Sequence, residues 1–454
     1  MTVLENIGRV LSGYVLVPLL ILSGIVMTFR LSAFFFLHPI KFFRDLTSSP
    51  KDGETSSFSA LTTALAGTLG VGNISGVCAA ILSGGAGALF WMVVSAFAVM
   101  SIKYAEVFLA VEFRRTLYNN EGRRYYRSGA PYYIREGLRP RLGKFSSVLA
   151  VLFALLLISN SLLTGTLVQV NAAASVSPFL PRALVGALFG GTALFTVLGG
   201  MKRVGRFTSF LIPLLSAVFI LMSLWIIILN RQEIPRAMGE VFDGAFSFHA
   251  AQGGVLGFLT SKAVRFGVTR GIFSNEAGCG SSPTAHGAAD SKSPHHQGCF
   301  GIFEVFCDTV VMCSLCGLVV LVTGAKGADG MALAIDGYSA GGRLCSVLLS
   351  ASILIFALST VVCQCYYGTE ALLFLSSSRL PRTVYHVLVL AVAVWGSVIS
   401  ADLMWQIADL QISLMTVINT LAVLALSKRV VKGFETEWRI SHPKNRRNAP
   451  KGRL

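Results

Sequence analysis

Four glycines, Gly67, Gly70, Gly72 and Gly76, fall within ten residues of an otherwise apolar stretch that also carries Thr68 and Asn73. Each glycine in a helix interior costs about 1 kcal/mol relative to alanine, so the run favours an unwound segment over a continuous helix. Unwinding frees carbonyl oxygens and N–H groups, which can then coordinate a ligand or an ion. Close packing of two backbones through small residues reads Gly72-Asn73-Ile74-Ser75-Gly76 equally well. A second cluster, Gly253, Gly254 and Gly257, opens another apolar stretch that continues through Gly267 and Gly271. The two interrupted stretches open corresponding halves of the chain, the pattern that marks a transporter binding site between inverted repeats. That pairing favours unwinding.

Oxygen-bearing side chains inside apolar stretches are the second source of chemistry. Ser359 and Thr360 precede Gln364 in one of them. Two hydroxyls beside carbonyls freed from the first glycine run make an oxygen shell suited to a desolvated monovalent cation such as sodium. The same hydroxyls can instead bond back to their own helix, and the residue pattern leaves both roles open. Asn160, Thr164, Thr166, Gln169 and Asn171 form one polar face, as the wall of a water-accessible cavity would. Lys103 and Glu106 are three apart and are placed to pair on one helix face. Glu304 and Asp308 share another face, as a proton relay or as packing contacts. His286, His295 and His296 sit in a polar stretch without the H-E-x-x-H frame of a zinc site. Cys313 and Cys316 have C-x-x-C spacing but no second pair, so they read as small core fillers.

The elements that position these groups are membrane helices. Of 454 residues, 54% are apolar and 13% charged, with mean hydropathy +0.67, too little charge to coat a soluble surface. Eleven apolar spans are expected, at 11–29, 58–82, 86–111, 145–170, 183–198, 207–229, 251–273, 298–322, 344–375, 384–399 and 404–426. A net charge of +16 is no nucleic-acid footprint here, because most of the 38 Lys and Arg lie between spans. With the N-terminus outside, most of them fall on the cytoplasmic side, as the positive-inside rule requires. Setting aside the first helix leaves two sets of five spans of opposite orientation, about 58–229 and 251–426. The expected architecture is an all-α polytopic membrane protein with a single transport domain over 1–427 and a basic cytoplasmic tail over 428–454. An interfacial helix is expected in the inner loop at about 112–144, and no cleavable signal peptide is expected.

No G-x-x-x-x-G-K-[ST] phosphate loop occurs, so transport energy is expected from an ion gradient. No cofactor is implied beyond a coupling ion. An enzyme is disfavoured because no nucleophile–base pair is evident, and a channel is disfavoured by the glycine-broken, cavity-lined design. The expected partners are the lipid bilayer and a small solute, with no nucleic acid and no obligate protein partner.

One run, Gly267-Val268-Thr269-Arg270-Gly271-Ile272-Phe273-Ser274-Asn275-Glu276-Ala277-Gly278-Cys279-Gly280-Ser281-Ser282-Pro283, closely resembles a hallmark of the alanine/glycine:cation symporter family. So do Ala64 to Val77, the Gly84 to Met92 run, Lys103-Tyr104-Ala105-Glu106, Pro131-Tyr132-Tyr133, and Phe356 to Thr360 with Tyr366-Tyr367-Gly368. These landmarks fall in family order over about residues 60 to 425. The resemblance implies a leucine-transporter-type fold, a five-plus-five inverted repeat with one extra N-terminal helix, in a bacterial inner membrane. It also implies sodium-driven uptake of alanine or glycine, in some members D-alanine; a proton-coupled carrier of the same fold is the alternative. By carry-over, the Ala66 and Leu69 carbonyls with Ser359 and Thr360 hold sodium, and Thr68 and Asn73 are candidates for a second ion. Gly70 and Gly72 N–H groups hold the substrate carboxylate, while Gln169, Gly253, Gly254 and Gln364 complete the pocket. The chain departs from the family at Val71 (usually Thr), near Val255 (usually aromatic) and at Cys363-Gln364-Cys365 (usually Gly-Trp-Ser). Gln364 in place of Trp removes apolar area and adds hydrogen-bonding capacity, which implies a substrate range extended to a larger or more polar side chain.

Overall fold

A computed structural model describes residues 8, 10–47, 55–118, 122, 124–246, 261–291, 293–399 and 401–441. Inside a bilayer each segment must satisfy its own backbone hydrogen bonds, and the described chain does so almost entirely as helix. Its main helices are α1 (Leu11–Arg30), α2 (Pro39–Thr47), α3 (Ser57–Thr68), α4 (Ser75–Gly84), α5 (Gly87–Glu112), α6 (Ala130–Leu142), α7 (Phe145–Ser175), α8 (Arg182–Val197) and α9 (Gly200–Leu229). The second half follows with α10 (Ile234–Ala245), α11 (Lys262–Asn275), α12 (Pro283–Gly287), α13 (Pro294–Thr323), α14 (Gly330–Ser339), α15 (Arg343–Leu375), α16 (Arg379–Gly396) and α17 (Ala401–Ser441). Seven are long and apolar enough to cross a membrane: α1, α5, α7, α9, α13, α15 and the Ile407–Trp438 part of α17. Large apolar side chains such as Phe195, Phe210 and Leu221 stand exposed on α8 and α9, as a lipid-facing surface requires.

Starts and stops follow local chemistry. Ser56, Ser261, Ser293 and Asp329 each accept N–H groups at a helix N-terminus. Gly324, in the left-handed region at φ +63, ends α13. Around the interrupted pair α3 and α4, α4 packs on α11, α3 packs on α9 and α15, and α5 packs on α11 and α13. Outside this core α7 packs on α15 and α8 on α16. Where α1 crosses α5, Gly24 lies against the Ala98 backbone so closely that a Cβ would collide with it.

Two regions add to the sequence-based expectation. The 112–144 stretch holds an antiparallel hairpin, β1 (Arg115–Tyr118) with β2 (Arg124–Arg127), before α6. The helix α6 that follows buries Pro131, Tyr132, Tyr133, Ile134 and Leu138 against the other helices and leaves Arg139 and Arg141 exposed. Beyond residue 428 the chain continues as helix to Ser441 and buries Val430, Phe434 and Trp438. Phe434 and Trp438 stack with Phe34 and His295, so this part of the tail docks on the helices.

Candidate functional site

The break in the glycine run is real and lies among buried residues. The Leu69 N–H still reaches Leu65 O at 2.6 Å, but Leu69 (ψ 87°) and Gly70 (φ −137°, ψ −152°) leave the helix. One tight turn, Val71–Asn73, leads to α4. The last carbonyls of α3 therefore lack the partners a continuing helix would supply. Thr360 Oγ1 on α15 lies 2.9 Å from Ala66 O, 3.3 Å from Leu69 O and 3.0 Å from Phe356 O. Ser359 Oγ is 2.8 Å from the same Phe356 O. A hydroxyl carries one hydrogen and cannot serve three carbonyls at once. Oxygens gathered this way, buried and short of protons, suit a small cation.

Both hydroxyls also face their own helix, the bland role the sequence left open, but Thr360 bridges to α3 as well. The Phe356 carbonyl escaped sequence reasoning, since any residue type carries a backbone oxygen. Only its i−3 and i−4 spacing from the two hydroxyls signals it.

At the other side of the break, Val71 N–H donates to Gln169 Oε1 at 3.0 Å, and Gly70 N–H donates to Asn73 Oδ1 at 3.1 Å. Gly70 is closed in by Gln169 and Thr360, where a Cβ would approach to 2.7 and 2.8 Å, so the break tolerates no side chain there. Gly72 packs against Phe273 and Ser274 of α11. Thr68 turns its hydroxyl back to Ala64 O and Leu65 O, away from the oxygen shell. Asn73 spends its other end on Asp308, with Nδ2 2.7 Å from Oδ1. Gln364 Nε2 donates to Glu276 Oε1 at 2.8 Å. Gly253 and Gly254 lie outside the described residues, as do Val255 and Gly257.

The buried charges pair differently from the spacing expectation. Lys103 points across to α13, with Nζ 3.3 Å from Glu304 Oε1 and 2.7 Å from Ser282 Oγ. Glu106 instead accepts from Asn419 Nδ2 and, at 3.2 Å, from the Gly278 N–H. Glu304 Oε2 is 3.0 Å from His286 Nε2. Asp308 takes donors from Ser274 at 2.7 Å and Thr309 at 2.8 Å besides Asn73. Glu304 and Asp308 take different hydrogen-bond partners, and a π-helical stretch, Phe306–Cys313, begins between them. His286, His295 and His296 are buried, on α12 and at the start of α13, so they do not line a polar loop.

A cavity of about 780 Å³ opens near the C-terminal end of α15, lined by Arg124, Arg127, Lys202, Tyr366, Glu370 and Arg379 among others. Arg127 Nε and Glu370 Oε2 face each other at 3.8 Å. The hairpin is pinned beside it by Tyr126, whose hydroxyl donates to Asp290 Oδ1 at 3.1 Å. Burial raises the Tyr126 phenol above its ordinary pKa, which keeps it a donor.

The model of the sodium:alanine symporter family matches residues 1–448. The sodium/alanine symporter AgcS of Methanococcus maripaludis is 34% identical over 95% of this chain and 95% of its own. The probable sodium/glutamine symporter GlnT of Bacillus subtilis is 32% identical over 91% of this chain and 86% of its own. Among solved structures, MhsT in complex with L-phenylalanine aligns with TM-score 0.57 at 14% identity, covering 81% of this chain and 88% of that one. That likeness establishes the leucine-transporter-type fold. With an interrupted helix, a buried oxygen shell and a full-length family match, the chain belongs to the sodium:alanine symporter family of multi-pass membrane transporters.

Proposed function

We propose that this chain couples sodium entry to uptake of a small neutral amino acid, alanine or glycine and also D-alanine, by alternating access. The observation that carries this reading is the oxygen cluster of Ala66, Leu69, Phe356, Ser359 and Thr360, built from two helices in different halves of the sequence. A cation there ties α3 to α15 and holds the break in the shape that presents α4's first N–H groups to a carboxylate. The C-terminal end of α3 and the N-terminal end of α4 carry opposite dipole charges, which suits a cation and a carboxylate side by side. Coupling follows because both ligands favour one conformation.

In this reading Thr68, Gly70, Gly72, Asn73, Gln169, Gly253, Gly254 and Gln364 surround the substrate. The halves at about 58–229 and 251–426 rock against each other. The face bearing the hairpin is cytoplasmic and the N-terminus external in a bacterial inner membrane, as the basic residues require. The 780 Å³ cavity is then the release vestibule, with Arg127 and Glu370 across its mouth. The names of the relatives support both a sodium ion and a neutral amino acid as cargo.

Purified protein in liposomes is expected to accumulate L-alanine, D-alanine or glycine under an inward sodium gradient. Replacing sodium by choline at fixed pH should lower uptake by roughly tenfold or more, the range of allosteric coupling energies. Uptake that persists in choline and follows an imposed proton gradient would instead establish the proton-coupled alternative. Gln364 in a pocket wall should admit glutamine-sized polar side chains as competitors of labelled alanine. A competition panel matching that of a relative with Trp at this position removes that extension.

A further inference from the structure

Two glutamine side chains fill the space beside the helix break, and each sits on a group that a zwitterion needs. Gln169 Oε1 accepts the Val71 N–H at 3.0 Å, where a carboxylate oxygen would sit at the entrance to α4. Gln364 Nε2 donates to Glu276 Oε1 at 2.8 Å and reaches the Gly67 carbonyl at 3.5 Å. Its Oε1 lies 3.4 Å from Asn160 Nδ2. The other end of that asparagine, Oδ1, is buried with no hydrogen-bond partner among the described residues. The two N–H donors of the Gln364 amide thus go to two acceptors, the Glu276 carboxylate and the Gly67 carbonyl, and the buried Asn160 Oδ1 is left without a donor. Glu276 receives neutral donors only, from Gln364 and Ser281. Lys103 acts on this carboxylate through space without a hydrogen bond to it, whereas an ammonium group would supply three donors and a positive charge in direct contact. Glu276 is the residue that ends α11, held in the left-handed region at φ +49, a conformation rare outside glycine and maintained only where surroundings demand it.

We infer that Glu276 is the counter-ion for the substrate's α-ammonium, with the Gly67 carbonyl and Asn160 Oδ1 as its companions. Gln169 and Gln364 stand in for the carboxylate and the ammonium until substrate displaces them. This deepens the amino acid carrier reading and rests on it; it restricts cargo to solutes with a free α-ammonium. Once displaced, the Gln364 amide is free to meet the substrate's side chain.

The test compares alanine uptake and sodium-22 binding by wild type, Glu276→Gln and Gln364→Met in liposomes. Glu276→Gln should raise the alanine KM about thirtyfold, the range of a hydrogen bond to a charged group, while maximal rate and sodium binding without substrate stay within about twofold. A merely structural Glu276 would lower maximal rate and sodium binding together. Gln364→Met keeps the volume but removes the competing donors, so the alanine KM should fall by about fivefold. A KM in Glu276→Gln within twofold of wild type, or a KM that holds or rises in Gln364→Met, overturns the proposal. Should Glu276→Gln fail to fold, Gln364→Met decides. Wild-type uptake independent of sodium removes the coupling reading and leaves this comparison intact, whereas a wild type that moves no amino acid overturns both.

Discussion

Thr360→Val is expected to raise the sodium concentration for half-maximal alanine uptake about thirtyfold, with little change in protein yield. Thr360 Oγ1 is the point where the Ala66, Leu69 and Phe356 carbonyls meet, within 2.9 to 3.3 Å. Valine keeps the shape and the branched Cβ, so packing at this fully enclosed position survives. What disappears is one oxygen from a shell that must replace the hydration of a desolvated cation. A hydrogen-bond-strength interaction with a charge is worth roughly 2 kcal/mol, or thirtyfold in affinity. Thr360→Ser keeps the oxygen and should stay within a few-fold of wild type. The measurement is sodium-22 binding together with uptake over a sodium titration. A Thr360→Val protein with wild-type sodium dependence would place the coupling ion elsewhere.

The second large effect is on stability. Lys103→Met should lower the melting temperature in detergent by on the order of 5–10 °C, or prevent recovery of folded protein altogether. Lys103 is fully buried and contacts Glu304, itself fully buried and shared with His286 and Ser282. Removing the cation strands an acidic group in a medium that cannot solvate it, an effect of about 3–5 kcal/mol. Removing both charges leaves no orphan. Lys103→Met with Glu304→Gln should therefore recover much of the loss, and the double variant separates a charge effect from a packing effect. A single Lys103→Met variant as stable as wild type would show that Glu304 finds its counter-charge elsewhere.

Much of the scaffold was legible before any coordinates. Helix breaking by glycine is a local property of the backbone, so the interruption at 67–73 could be expected from residue type once the second glycine cluster at 253–257 weighed against close packing. Burial in lipid makes helix obligatory, so apolar runs map onto helices such as Leu11–Arg30, Gly87–Glu112 and Arg343–Leu375. The oxygen set of Ala66, Leu69, Ser359 and Thr360 came from resemblance to a family; in the structure Thr360 reaches the Ala66 and Leu69 carbonyls, while Ser359 bonds to Phe356 O of its own helix.

What escaped the sequence was every choice of partner across space. Spacing put Lys103 beside Glu106, yet its ammonium pairs with a carboxylate 201 residues away. The periodicity that places side chains on one face of a helix does not say which other helix that face meets. The histidines looked solvated because their neighbours in sequence are polar, although the packing of α12 and α13 buries them. Glu276 lay in full view within a recognised motif. Its meeting with Gln364, which in turn meets Asn160, depends on three helices converging.

The sequence by itself thus determined where the chain must be helix, where it must break and which residues carry hard oxygens, because propensity and hydropathy act over a few residues. Only the tertiary structure decided how closely those oxygens approach one another, which charges neutralise each other and which amides fill the space beside the break. Those outcomes are set by contacts between segments far apart in the chain, and no local rule carries that distance.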